Sequence, residues 1–177
     1  RWDYGENNAR KLGEMSQTPD PNQGGLTKIS VPIIQKYLAQ GHESMIEMGD
    51  ATFFIECSRV VSHELVRHRL VSYQQESQRF VKYDQEDPED LFFTPPELLD
   101  NPRLVEYLTM MKDSLVVYQD LREDGTAPQI ARYVFPNATR TRMVMKANIR
   151  EWRHIIGLRL DKSVQPEMFQ LMQQVYD

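Results

Sequence analysis

The sequence has a single cysteine, Cys57, in 177 residues. That excludes an intramolecular disulfide and any multi-cysteine metal site, and it points to a reducing, cytoplasmic compartment. Apolar runs are short: none approaches the roughly 20 residues needed to cross a bilayer. The opening Arg1-Trp2-Asp3-Tyr4 is polar, with no signal-peptide core, so membrane insertion is not expected. No G-x-G-x-x-G occurs, which leaves out the glycine-rich turn that cradles a pyrophosphate on a helix N-terminus. Net positive charge is also missing. A formal charge of −5 argues against general nucleic-acid binding. Internal repeats and low-complexity tracts are absent as well.

The chain does have an uneven distribution of charge. Residues 59–82 carry Arg59, Arg67, Arg69, Arg79 and Lys82 against Glu64 and Glu76. Residues 132–162 carry Arg132, Arg140, Arg142, Lys146, Arg150, Arg153, Arg159 and Lys162 against Glu151 and Asp161. The remainder is therefore strongly acidic. Cationic patches on an acidic chain fit small anionic ligands, because the acidic remainder would repel an extended phosphate backbone. Two solvated helix faces would give the same composition. A hydrophobic share of 40% is enough for one ordinary core, so a single domain over 1–177 is expected.

The opening to about Lys28 is polar and broken by Pro19, Pro21, Gly24 and Gly25, and little regular structure is expected there. Ser30 before Pro32, with Ile33, Ile34, Tyr37 and Leu38 at helical spacing up to Gly41, predicts a helix over about 31–40. Residues 51–57 are aromatic and β-branched and read as a strand; Ser58 then caps a helix ending near Arg69. The proline-rich stretch 84–102 reads as a surface loop. A long helix over about 103–122 follows, with Leu104, Leu108, Met111, Leu115 and Tyr118 on its apolar stripe and Gly125 closing it. A short helix near 128–134, a second strand over 139–148 and helices over 150–161 and 166–176 complete an α+β chain in which helices dominate.

The densest chemistry lies in Arg67-His68-Arg69-Leu70-Val71-Ser72-Tyr73-Gln74-Gln75-Glu76-Ser77-Gln78-Arg79-Phe80. An arginine fork grips phosphate or carboxylate through two hydrogen bonds, and serine hydroxyls with loop amides complete an anion pocket. A charged helix end followed by a polar loop is the alternative on chemistry alone. Arg159 has support of its own: Trp152, Ile155, Ile156 and Arg159 fall at i, i+3, i+4 and i+7, which puts this arginine on the apolar stripe of its helix. There it must meet an internal carboxylate or a bound anion.

The pattern Arg-His-Arg, seven residues, then Ser, matched at Arg67, His68, Arg69 and Ser77, with Arg79 and Phe80 following, resembles the signature of the flavin-dependent thymidylate synthases. The similarity runs from about Leu38 to the end. It takes in Gly41-His42-Glu43-Ser44, Ala131-Arg132, Pro136, Asn148, Arg150, Arg159 and Gln165, while the family's N-terminal strand is not visible. The resemblance implies one α+β domain like that of the thymidylate synthase-complementing proteins, with a small antiparallel sheet packed by several helices. It implies reductive methylation of dUMP to dTMP, with FAD as cofactor and NADPH and methylenetetrahydrofolate as co-substrates, in a homotetramer that binds no nucleic acid. Residue by residue, it puts Glu64, Arg67, Gln75, Glu76, Ser77, Gln78, Arg79, Arg132 and Arg159 at dUMP. It puts Arg67, His68, Arg69, Leu70, Gln75, Asn148, Arg150 and His154 at FAD. Ser77, Arg79 and Arg159 become the catalytic candidates: either arginine could stabilise charge developing on the uracil, and Ser77 acts as a polarising donor or as a nucleophile.

Two positions depart from that family, with Met48 and Ser163 standing where it usually has histidines near the flavin. His63 and His68 nearly imitate a zinc-protease helix, but five residues separate them by roughly 140° rather than the roughly 40° of i, i+4 spacing, so no metal is expected. Cys57 ends an apolar strand and reads as a core thiol, and Met143, Met145, Met168 and Met172 read as packing. The rival function is a non-catalytic nucleotide- or RNA-binding module that uses the same basic segments.

Overall fold

The computed structural model describes residues 31–177; the polar opening, with the little regular structure expected of it, lies outside them. Helix α1 spans Val31–Ala39. Gly41 closes it at φ 81°, and the amides of Gly41 and His42 bond to the carbonyls of Leu38 and Tyr37 at 3.0 and 2.9 Å. Only glycine takes that left-handed position cheaply. Strand β1 covers Asp50–Ser58, and Ser58 caps α2 (Arg59–Leu65) by accepting from the Val61 amide at 3.3 Å. The helix stops four residues before the expected end at Arg69. Its last turn tightens, with Arg67 N–H bonding the Glu64 carbonyl at 3.2 Å, and the chain turns His68 inward.

Strand β2 (Ser72–Gln75) lies inside the arginine-rich segment, where a loop was expected. The expected surface loop 84–102 is also more ordered than its prolines imply. It contains α3 (Pro88–Leu91) and a 3₁₀ turn at Pro96–Leu98, and Leu91 and Phe92 are buried. Helix α4 spans Leu104–Glu123 and buries Met111, Leu115 and Tyr118, but Leu108 is exposed. Tyr107 is half-buried beside it, its hydroxyl donating to the Phe93 carbonyl at 2.6 Å. Gly125 ends this helix at φ 85°. Helix α5 (Pro128–Ala131) runs into a 3₁₀ turn at Arg132–Val134. Strand β3 (Arg140–Asn148), α6 (Ile149–Arg159) and α7 (Pro166–Tyr176) follow.

The three strands pair in the order β1-β3-β2 in an antiparallel sheet, so the expected α+β class with a small sheet and several helices is what the structure has. β3 alternates: Thr141, Met143, Met145 and Ala147 are buried, while Arg142 and Lys146 face water and pair with Glu56 and Asp50 of β1.

The chain forms two compact units. One takes the chain to Phe53, His68–Tyr73 and Met145–Asp177; the other takes Phe54–Arg67 and Gln74–Val144. In the first, α6 packs on α7. Trp152 is fully buried there, its indole N–H donating to the Ala51 carbonyl at 3.0 Å and its ring edge-on to Phe53. In the second, Tyr83, Leu91, Phe92, Met111, Leu115, Tyr118 and Ala131 form the core, and Phe135 stacks on Tyr118 at 4.5 Å between centroids. Cys57 is buried, as a core thiol should be.

Candidate anion-binding site

Of the residues expected at a nucleotide, all but Arg159 lie in the second unit. β2 aims Gln75 at its neighbours: the side-chain amide donates to the Ser62 and Thr141 hydroxyls at 3.2 and 3.1 Å. The Glu76 amide bonds to the Arg142 carbonyl at 2.8 Å, and the chain then leaves the sheet. A tight turn follows, in which the amides of Phe80 and Val81 both bond to the Ser77 carbonyl at 3.0 Å. The Ser77 hydroxyl oxygen accepts from the Arg79 amide at 3.3 Å, which leaves its own proton to donate. Arg79 is exposed, its guanidinium 5.6 Å from the Phe80 ring centroid.

Gln78 is the unusual member of that turn. Its side chain is buried, yet its Nε2 has no hydrogen-bond partner among the described residues. An unpaired buried amide costs about 1–3 kcal/mol, and a ligand acceptor would recover it. Arg132 donates to the Gln129 carbonyl at 3.2 Å, and Glu64 stands half-buried on α2.

The flavin-side candidates, Arg67 and Gln75 excepted, lie in the first unit. His68 accepts at Nε2 from Arg159 Nε at 3.2 Å, while its backbone carbonyl accepts the Tyr73 hydroxyl at 2.9 Å. Accepting at Nε2 requires the neutral ring with its proton on Nδ1. Burial pushes the His68 pKa down, and the charges of Arg159 and His154 push it further the same way. Burial, then Glu151, holds the Tyr73 hydroxyl up at about 12. The apolar stripe is as the helical period predicts: Trp152, Ile155 and Ile156 are buried, and Arg159 is half-buried at the end of it.

Asn148 caps α6, its oxygen accepting from the Glu151 amide at 2.7 Å, and its Nδ2 donates to Glu47 at 3.0 Å. Arg150 is committed as well, with Nε on Glu43 and a terminal nitrogen on Glu47, both at 3.0 Å. Arg69, Leu70 and His154 are exposed, as is Met48. Ser163 turns back on Asp161, with its amide at 2.8 Å and its hydroxyl at 2.5 Å from one carboxylate oxygen.

Sequence reasoning missed Tyr73, Tyr83 and the carboxylates Glu43 and Glu47, all of which hold site candidates in place. Glu43 stood in a matched segment, but nothing in the sequence paired it with Arg150, 107 residues away. The alternation through Val71-Ser72-Tyr73-Gln74-Gln75 was a signal for the missed strand.

A family model described as thymidylate synthase complementing protein matches residues 1–177. The flavin-dependent thymidylate synthase of Thermococcus kodakarensis is 42% identical over 137 residues, which cover 76% of this chain and 56% of that protein. The Thermococcus onnurineus protein of the same name is 39% identical with the same coverage. That of Corynebacterium efficiens is 32% identical over 193 residues, covering 94% of this chain and 74% of that protein. The chain thus spans 56% of the length of the archaeal relatives it matches.

Proposed function

The chain belongs to the thymidylate synthase complementing protein family, and on that premise we propose that it is a flavin-dependent thymidylate synthase. In this reading dUMP is reductively methylated to dTMP, with methylenetetrahydrofolate as carbon donor and FAD reduced by NADPH. The observation that carries it is the Ser77–Arg79 turn, where a donating hydroxyl and an exposed guanidinium flank the amide of buried Gln78, which has no partner among the described residues. Three such donors on consecutive residues are what a nucleotide phosphate takes. Glu64, Arg67, Gln75, Arg132 and Arg159 complete the proposed dUMP set, with Arg79 or Arg159 offsetting charge that develops on the uracil. Ser77 is the polarising donor.

The first unit's donors fit a flavin. Exposed Arg69 offers charge to a pyrophosphate, and exposed Leu70 offers an apolar surface to a flat ring. Arg150 spends Nε on Glu43 and one terminal nitrogen on Glu47, which leaves its other terminal nitrogen for a phosphate oxygen. Arg67, His68, Gln75, Asn148 and His154 are the remaining flavin candidates. Bound FAD supplies the hydride chemistry; the protein binds, orients and polarises.

The same reading makes 1–177 one domain of a cytoplasmic homotetramer that binds dUMP, folate and NADPH but no nucleic acid. The net charge of −5 supports the last point. Among the described residues no helix is long and apolar enough to cross a membrane. The test is the visible spectrum of the FAD-incubated protein together with dTMP formation from dUMP. Flavin peaks and product are expected. A colourless protein with salt-sensitive affinity for RNA would overturn the reading in favour of a nucleic-acid module.

A further inference from the structure

We propose that Tyr83 and Glu76 form a clasp that closes the loop carrying Ser77, Gln78 and Arg79, so that Glu76 is a positioning residue and not a ligand of the nucleotide. This rests on the reading of that loop as the dUMP site. The Tyr83 hydroxyl donates to the Glu76 carboxylate at 2.5 Å, spanning seven residues of sequence. Both ends of the loop are fixed independently of the clasp. At the start, the Glu76 amide is bonded to the Arg142 carbonyl of β3. At the end, the Tyr83 amide is bonded to the Tyr118 hydroxyl at 3.4 Å, and the Tyr83 ring stands edge-on to Tyr118 and Phe135 in the core of the second unit. The loop's feet are therefore a strand and a packed aromatic cluster, and the clasp ties one to the other.

The Glu76 carboxylate is also badly placed to meet a nucleotide. It lies on the wall of a cavity of about 60 Å³ that it shares with Tyr83, Arg140, Thr141 and Arg142. That volume holds a water or two, well below the roughly 300 Å³ at which small-molecule pockets begin. A carboxylate beside a substrate phosphate would repel it, whereas one bonded to a buried tyrosine keeps its charge turned to Tyr83. Burial and the Glu76 partnership push the Tyr83 hydroxyl pKa well up, so it remains a donor across the working range.

The experiment is calorimetric titration of dUMP into the FAD-loaded full chain, with FAD affinity followed by flavin fluorescence. Tyr83→Phe and Glu76→Ala should each weaken dUMP binding by about tenfold, as expected for one lost hydrogen bond to a charged group, and leave FAD affinity unchanged. The double variant should be no worse than either single one, because both remove the same bond. Glu76→Gln keeps an acceptor for the Tyr83 hydroxyl and should bind dUMP within about threefold of the parent. Tyr107→Phe, which removes another tyrosine hydroxyl bond in the same unit, should leave dUMP binding alone and so separates positioning from general destabilisation. Unchanged dUMP affinity in Tyr83→Phe would overturn the clasp, as would additive losses in the double variant. Tighter binding by both Glu76→Gln and Glu76→Ala would overturn it too, since it would place the carboxylate against the phosphate. A parent chain that takes up FAD but not dUMP would instead remove the dUMP reading beneath it.

Discussion

Arg79 reaches solvent with its guanidinium leaning on Phe80, a long cation left available and pre-oriented by an aromatic neighbour. Arg79→Ala should weaken dUMP binding by roughly 1.5–3 kcal/mol, the range for a hydrogen bond to a charged group; calorimetry showing parental affinity would take Arg79 out of the site. His68 makes a different prediction, about pH. Its folded-state pKa lies below the ordinary 6.5 because of burial first, then Arg159 and His154. The unfolded chain therefore binds the proton more readily. The stability that neutral His68 contributes is fully present above 6.5 and is lost as the pH falls from there through the lowered value. Protonation also turns Nε2 into a donor facing the Arg159 guanidinium, which removes their bond. Urea midpoints taken from about pH 8 to about pH 5 should fall more steeply for the parent than for His68→Gln, which accepts without titrating. Parallel curves would mean that His68 does not set this dependence. The sequence alone marked His68 through the Arg-His-Arg pattern and Arg159 through the helical stripe, but it did not pair Arg159 with His68. The imidazole it meets is 91 residues away, and spacing within one helix carries no information about that.

Asn148 does two jobs at the start of α6, capping the helix through its oxygen and bonding Glu47 through its nitrogen. Asn148→Ala should cost about 1 kcal/mol of stability from the lost cap. Asn148→Ser keeps an oxygen for the Glu151 amide and should recover most of it. If Nδ2 also serves the flavin, the serine variant will still bind FAD more weakly. Denaturant midpoints and flavin fluorescence separate the two effects, and equal stability for Ala and Ser would show that the cap contributes little. Elements like this one were legible in advance because their signals are local: Ser58 and Asn148 at caps, Gly41 and Gly125 just past helix ends, a 3.6 period in α6. Where the reading failed, the decisive contact was distant in sequence. Ser72–Gln75 becomes a strand with β3 there to pair with it, and the alternation through Val71 and Tyr73 signals it over too short a run to decide the assignment without that partner. The loop at 84–102 looked exposed by its prolines, yet Phe92 bridges to Thr139 and is buried with Leu91 in the core around Tyr118.

At the scale of the whole chain, neither compact unit is a continuous stretch, for the backbone passes between them after Phe53, Arg67, Tyr73 and Val144. Each unit thus depends on segments delivered through the other, and a single cooperative unfolding transition is expected, with Trp fluorescence and far-ultraviolet dichroism coincident. Two separated transitions would show the units to be independent domains. Assembly carries the last prediction. The nucleotide and flavin candidates are divided between the units, and three large apolar side chains, Leu70 and Phe80 of the motif and Tyr133 next in sequence to Arg132, are each more than three-quarters exposed. Sites completed between copies would meet both demands, covering the apolar side chains and adding walls to the pocket. If only the assembled form binds FAD well, FAD stabilises the assembly by mass action, and dilution releases the flavin as the copies separate. Flavin fluorescence and sedimentation followed over one dilution series should therefore change together. Arg150→Ala should shift the flavin release to higher protein concentration, because it removes a cation proposed at the cofactor without touching the core. A monomer that keeps FAD with undiminished affinity would defeat the shared site while leaving the proposed reaction in place.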